Sequence, residues 1–172
     1  MPQQIWGFGV HQVQIEVILL SISDSADNAA GAALRWRVTR GDLPSGCRPD
    51  ARARELAGLP TSVPAATVVH STSWRPTTGG LILTYAVLPD PHPTDGTVAA
   101  VPADAAIACS ADCAAPTPPV VAVKHVLAHA LRHLSMVART SPVIRKAVDT
   151  YPQLWDAVVT HTPDVAGQLV ST

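Results

Sequence analysis

The sequence predicts an α+β domain: a small, mainly antiparallel sheet including a β-hairpin over 67–88, packed by an N-terminal helix and a C-terminal helix pair. Three observations carry that expectation. Val13, Ile15 and Val17 alternate with polar neighbours, the period-two pattern of a strand. Two runs rich in β-branched, aromatic and aliphatic residues, 67–74 and 81–88, flank the turn-forming sequence RPTTGG. Beyond Pro118-Pro119, apolar residues recur at three- and four-residue steps, the period of a helix.

Each element follows in order. The alternation over 12–16 reads as a half-buried strand that runs into Ile18-Leu19-Leu20. Ser23, Asp24 and Ser25 offer capping oxygens to an Ala-rich helix over 26–38, ended near Gly41. A short second helix over 50–57 stops at Gly58-Leu59-Pro60. The hairpin comes next, its loop given to Pro76 and Gly79-Gly80. The stretch 89–119 holds seven prolines and little periodicity, so it reads as a long loop, with a short edge strand at 98–101. Loops of that length in a compact domain are functional lids or disordered segments. Val120, Val123, Leu127, Ala130, Leu134 and Val137 then form one apolar stripe of a helix over 120–139. Ser141 and Pro142 begin another, with Ile144, Val148 and Trp155 facing inward and Pro152 breaking or kinking it. No internal repeat interrupts the chain, and residues 1–172 read as one domain.

Composition limits the function. Of 172 residues, 47% are hydrophobic and 15% charged, with mean hydropathy +0.21 and formal net charge −1. Charge-rich disorder and a basic nucleic-acid surface are thereby disfavoured, and nucleic acid is not an expected partner. The N-terminal stretch lacks the basic and continuous apolar regions of a secretory signal. Its longest apolar run, 17–20, is far below the roughly 18–20 residues of a membrane span, so no membrane is expected either. Three cysteines make an odd count, consistent with reduced thiols in the cytoplasm. Only Glu16 and Glu55 supply glutamate, which rules out the glutamate-rich metal helix of Nudix hydrolases.

Histidine stands out in this background, with seven residues against two Lys and two Glu. His125, His129 and His133 are spaced i, i+4, i+8, so at about 100° per residue they share a helical arc of about 80°. His-x-x-x-His is the spacing by which one helix offers two imidazoles to a metal, zinc being the natural candidate. Two turns separate His125 from His133, so the realistic set is one pair plus a distant Asp, Cys or His70. The same three histidines also serve as an ordinary hydrogen-bonded or solvated face. Cys109 and Cys113 form a second, loop-borne candidate zinc pair, with two ordinary thiols as the alternative. Six Arg over 35–54 stand against Asp42, Asp50 and Glu55, a surface able to grip an anion or simply to meet solvent.

On the first hairpin strand, simple alternation places Val68, His70, Thr72 and Trp74 on one face, and Val69, Ser71, Ser73 and Arg75 on the other. VVHSTSW resembles one of the paired His-x-Thr/Ser strands of the 2H phosphoesterase family. That resemblance implies a catalytic His70 with Thr72 as donor, but the second strand copy is missing: His133-Leu-Ser135 falls on a helix and His161-Thr-Pro163 lacks the second hydroxyl. VVHSTSW, LTYAVLPDP and HALRHL together are similar to segments of short uncharacterised proteins of high-GC actinobacteria, a resemblance that implies no activity.

Two functions are expected. One is a small cytosolic binding or assembly module with a histidine-lined cleft, its apolar surface and Pro-rich loop meeting a second copy of the chain or another protein. The other is a phosphoesterase-like hydrolase in which His70, Thr72 and Arg75 act with helix histidines, metal-assisted or not. The distance from His70 to His129 or His133 discriminates between them.

Overall fold

The structure, a computed structural model, describes residues 12–23, 33–62, 64–94, 106–112 and 114–163. In chain order the elements are β1 (Gln12–Ile22), β2 (Leu34–Asp42), α1 (Pro49–Leu56), β3 (Val68–Thr77), β4 (Gly80–Leu88), α2 (Val123–Thr140), α3 (Pro142–Thr150) and α4 (Pro152–Val159). The strands lie in the order β2-β1-β4-β3. Both outer pairs are antiparallel and the central β1–β4 pair is parallel, so the sheet is mostly antiparallel, as expected.

β1 is buried on both faces, which corrects its half-buried reading. Ile18 and Leu20 join Ala86, Leu88 and the apolar sides of α2, α3 and α4 in one core. Ile15, Val17 and Leu19 turn the other way and meet Ala53 and Ala57 at α1 in a second core. Helices therefore cover both faces, not one. The path from β1 to its parallel partner β4 runs through β2, α1 and β3, and α1 closes the second face along the way.

The expected helix over 26–38 is replaced by strand from Leu34 onward, while residues 24–32 lie outside the described residues. The physical reason is visible in LRWRVTR, whose Leu34, Trp36 and Val38 alternate with polar residues and pair antiparallel with β1. Gly41 sits inside β2 opposite Ile15 and terminates nothing. The N-terminal helical layer is supplied by α1 alone.

The hairpin is tighter than RPTTGG suggested. Pairing continues to Thr77–Gly80, so the turn is Thr78-Gly79 only. Gly79 adopts φ +83°, a region a side chain disfavours. Gly80 is needed for a different reason: a Cβ there would stand 2.0 Å from the Gln12 carbonyl oxygen of β1.

The helix over 120–139 appears as α2, displaced slightly, with Val120 left outside it and 72% exposed. Leu127, Ala130, Leu131 and Leu134 are buried, each leucine contributing about 1.5–3 kcal/mol by removal from water. Pro152 divides the expected final helix into α3 and α4, and Trp155 on α4 is 1% exposed. The described parts of 89–119 contain no helix or extended strand, and the expected strand at 98–101 lies outside the described residues. No helix among the described residues is long and apolar enough to cross a membrane.

Candidate functional site

One irregularity in β3 organises the site. The β3–β4 register shifts between Ser71 and Ser73, leaving Thr72 as the extra residue of a β-bulge. Before the bulge His70 lies opposite Ala86, on the face toward α2. After it the inward positions are Ser73, opposite Thr84, and Arg75, opposite Ile82. Trp74 is thrown to the other side and is 65% exposed. The simple alternation read from the sequence is thus corrected. His70 and Arg75 share a face across the bulge, and Trp74 does not lie with them.

Thr72 itself is buried, its hydroxyl donating to the Thr84 carbonyl oxygen at 3.3 Å. Its own carbonyl oxygen faces α2 and accepts a hydrogen bond from His129 Nε2 at 3.1 Å. A carbonyl can only accept, so the proton of this bond sits on Nε2. His129 is 4% exposed and ties α2 to the edge strand at its irregular point.

The other two helix histidines go elsewhere. His125 stands at the third position of α2, and its Nδ1 accepts from the Ala122 backbone N–H at 3.3 Å. This is the return half of a capping box, made by an imidazole in place of a carboxylate. His133 meets His70, with their Nε2 atoms 3.0 Å apart. The ring centroids are 5.1 Å apart with 26° between planes. That separation exceeds the nitrogen–nitrogen distance by about one ring width, so the imidazoles meet edge to edge, one donating and one accepting. Burial lowers the pKa of both rings, and for His133 the nearby His70 and His129 lower it further. His133 therefore lies beside both His70 and His129, whereas His125 is engaged at the helix start. No group of three or more His, Cys, Asp or Glu among the described residues could hold a metal ion. Cys109 Sγ lies 3.6 Å from the Ile107 carbonyl oxygen, and Cys113 is outside the described residues.

Beside these histidines a cleft of about 480 Å³ opens between β3, α2 and the segment 107–118. β3 gives it Thr72, Ser73, Trp74 and Arg75, and α2 gives His125, Val126 and His129. The third wall is Ile107, Ala108, Pro116, Thr117 and Pro118. His70 and His133 are not among these wall residues. Part of the Pro-rich stretch thus does border a cleft, although nothing in its composition marked which part.

Arg75 does not enter the cleft as an unshared charge. Its two terminal nitrogens hold Glu16 Oε1 and Oε2, each at 2.9 Å, and Nη1 also donates to Thr84 Oγ1 at 3.2 Å. Arg40 closes on the same carboxylate from β2, and Thr84 donates to it at 3.1 Å. Glu16 is fully buried. Desolvation raises its pKa, but the Arg75 hydrogen bonds and charge, with the Arg40 charge, outweigh that and hold the carboxyl below its ordinary value of 4.5. Elsewhere in the arginine-rich stretch, Arg37 grips buried Asp90 at 2.6 and 2.8 Å. Arg48 and Arg52 pair with Asp50 and Glu55.

No protein-family model, curated protein or solved structure matches the chain.

The functional reading therefore rests on this geometry. Sequence reasoning missed Glu16, although a lone carboxylate inside an apolar strand is a recognisable sign of a buried ion pair. It also missed Ser73 and Thr117, whose access to the cleft depends on the bulge and on the path of an aperiodic segment.

Proposed function

We propose that the protein is a small-molecule binding module. The cleft between β3, α2 and 107–118 takes a ligand with a mainly apolar body and one hydrogen-bonding end. The observation that carries this reading is the composition of the walls. Val126, Val121, Ile107, Ala108, Pro116 and Pro118 supply apolar surface, while Ser73, Thr117 and His125 supply a few polar atoms. Ligand sites have this character, in volumes of roughly 300–1,000 Å³. With its Nδ1 occupied by the Ala122 amide, neutral His125 carries its proton on Nε2 and is a donor there.

Titration with N-phenylnaphthylamine, a neutral apolar fluorophore carrying one N–H, tests this directly. One saturable site per chain is expected, and Ala108→Trp, which fills the cleft from the half-buried loop wall, abolishes it. Undiminished binding by a natively folded Ala108→Trp protein, or no saturable binding by the parent chain, rejects the proposal.

A hydrolytic reading draws on one observation, the 3.0 Å contact of His70 with His133. Three features weigh against it. Thr72 spends its hydroxyl on Thr84, Arg75 is neutralised by Glu16, and the histidine pair does not line the cleft. Hydrolysis of bis(p-nitrophenyl) phosphate by the parent chain, lost in His70→Asn, would reverse this preference.

A further inference from the structure

We propose that His70 and His133 form a binding site for a divalent first-row transition cation, which takes the place of the proton now shared between their Nε2 atoms. This site is separate from the ligand cleft and does not depend on it.

The geometry is close to what such an ion requires. Zinc–imidazole bonds are about 2.0–2.1 Å, and two such nitrogens around a tetrahedral ion stand about 3.4 Å apart by the same bond lengths. The present separation is 3.0 Å, so the rings need part by only a few tenths of an ångström and tilt toward a common point. The two ligands come from different elements, β3 and α2, and are 63 residues apart in sequence. An ion would therefore cross-link the edge strand to the helix, not merely decorate one helix.

Both rings are half-buried, so water reaches the contact and can complete the shell. The ion takes the lone pairs of both Nε2 atoms; the donating ring, neutral, gives up its Nε2 proton to solvent and takes one on Nδ1, so both rings stay neutral and no net proton is released. The third nearby histidine is already committed, His129 Nε2 donating to the Thr72 carbonyl oxygen while its ring centroid lies 6.0 Å from that of His133. Two imidazoles without a carboxylate select borderline ions over Mg²⁺ and Ca²⁺, with Cu²⁺ bound more tightly than Zn²⁺.

The test is a titration of the full chain with Cu²⁺, followed by electron paramagnetic resonance and by calorimetry. One ion per chain is expected, with nitrogen superhyperfine structure from two imidazoles and with displacement by a large excess of Zn²⁺ but not of Mg²⁺. His70→Asn and His133→Asn should each weaken binding at least tenfold, whereas His92→Asn should leave it unchanged. Because a ring substitution can perturb folding, a second measurement uses the parent chain alone: Zn²⁺ should shift the side-chain NMR signals of His70 and His133 together and saturably. Binding that survives both asparagine variants, or Zn²⁺ shifts confined to other histidines, overturns the proposal.

Discussion

His129 Nε2 donates to the backbone carbonyl oxygen of Thr72 at 3.1 Å, joining the most buried histidine of α2 to the bulged residue of β3. Backbone carbonyls at a bulge lack their usual ladder partner, and a buried one left unpaired is costly. His129→Ala should therefore destabilise the fold by about 2–4 kcal/mol, combining the lost hydrogen bond with a cavity. His129→Gln, which can present an N–H to the same carbonyl, should recover part of the loss. Urea unfolding of the three proteins checks the order.

The bulge decides which side chains face α2. Deleting Thr72 removes the extra residue and leaves the pairing beyond it in place, so Trp74 stays outward and Arg75 stays inward on Glu16. The loss is confined to the buried carbonyl that accepts from His129, about 1–3 kcal/mol. The deletion protein should therefore unfold at modestly lower urea with its Trp74 emission unmoved. A Trp74 emission shifted to shorter wavelength would mean that Thr72 is not the extra residue of β3.

Glu16 predicts a particular acid response. Its folded pKa is held below 4.5 by Arg75 and Arg40 against the opposing effect of burial. A carboxyl of this kind contributes stability above its unfolded pKa and loses it as pH falls through the folded one. The stability gap between the parent chain and Glu16→Gln should thus be full above about pH 5 and shrink steadily below 4.5. Chemical unfolding at a series of pH values measures it. A gap that does not narrow in acid contradicts the network.

Gly80 is required by the β1 backbone, not by its own dihedral angles. Gly80→Ala drives a Cβ to within 2.0 Å of the Gln12 carbonyl oxygen, and rigid backbone cannot yield as a side chain would. A loss of about 1–3 kcal/mol is expected from such overpacking, visible as a lower thermal midpoint. Ala at exposed Gly79, where φ is +83° and nothing lies nearby, should cost about 1 kcal/mol through strain alone.

Much of the fold was legible in sequence because its signals are local. The alternation in β1, the paired strands around Gly79-Gly80 and the apolar stripe of α2 each depend on neighbouring residues. The Ala-rich stretch misled because alanine favours helix while LRWRVTR carries strand periodicity, and the open edge of β1 favoured the strand. The parallel pairing of β1 with β4 leaves no local trace at all. For the candidate site, histidine spacing pointed to α2 and the run VVHSTSW to β3, the elements that border the cleft, but not to the partners their side chains meet. A single extra residue at Thr72 reverses every orientation beyond it, and no periodicity reveals that.

The cleft is the central claim, and chemical-shift mapping of the isotope-labelled full chain with N-phenylnaphthylamine tests it most directly. Perturbations should concentrate at Thr72 to Arg75, at Ile107 and Ala108, and along α2 from His125 to His129, saturating at one ligand per chain. Shifts centred on α1 and β2, or scattered without saturation, would contradict it.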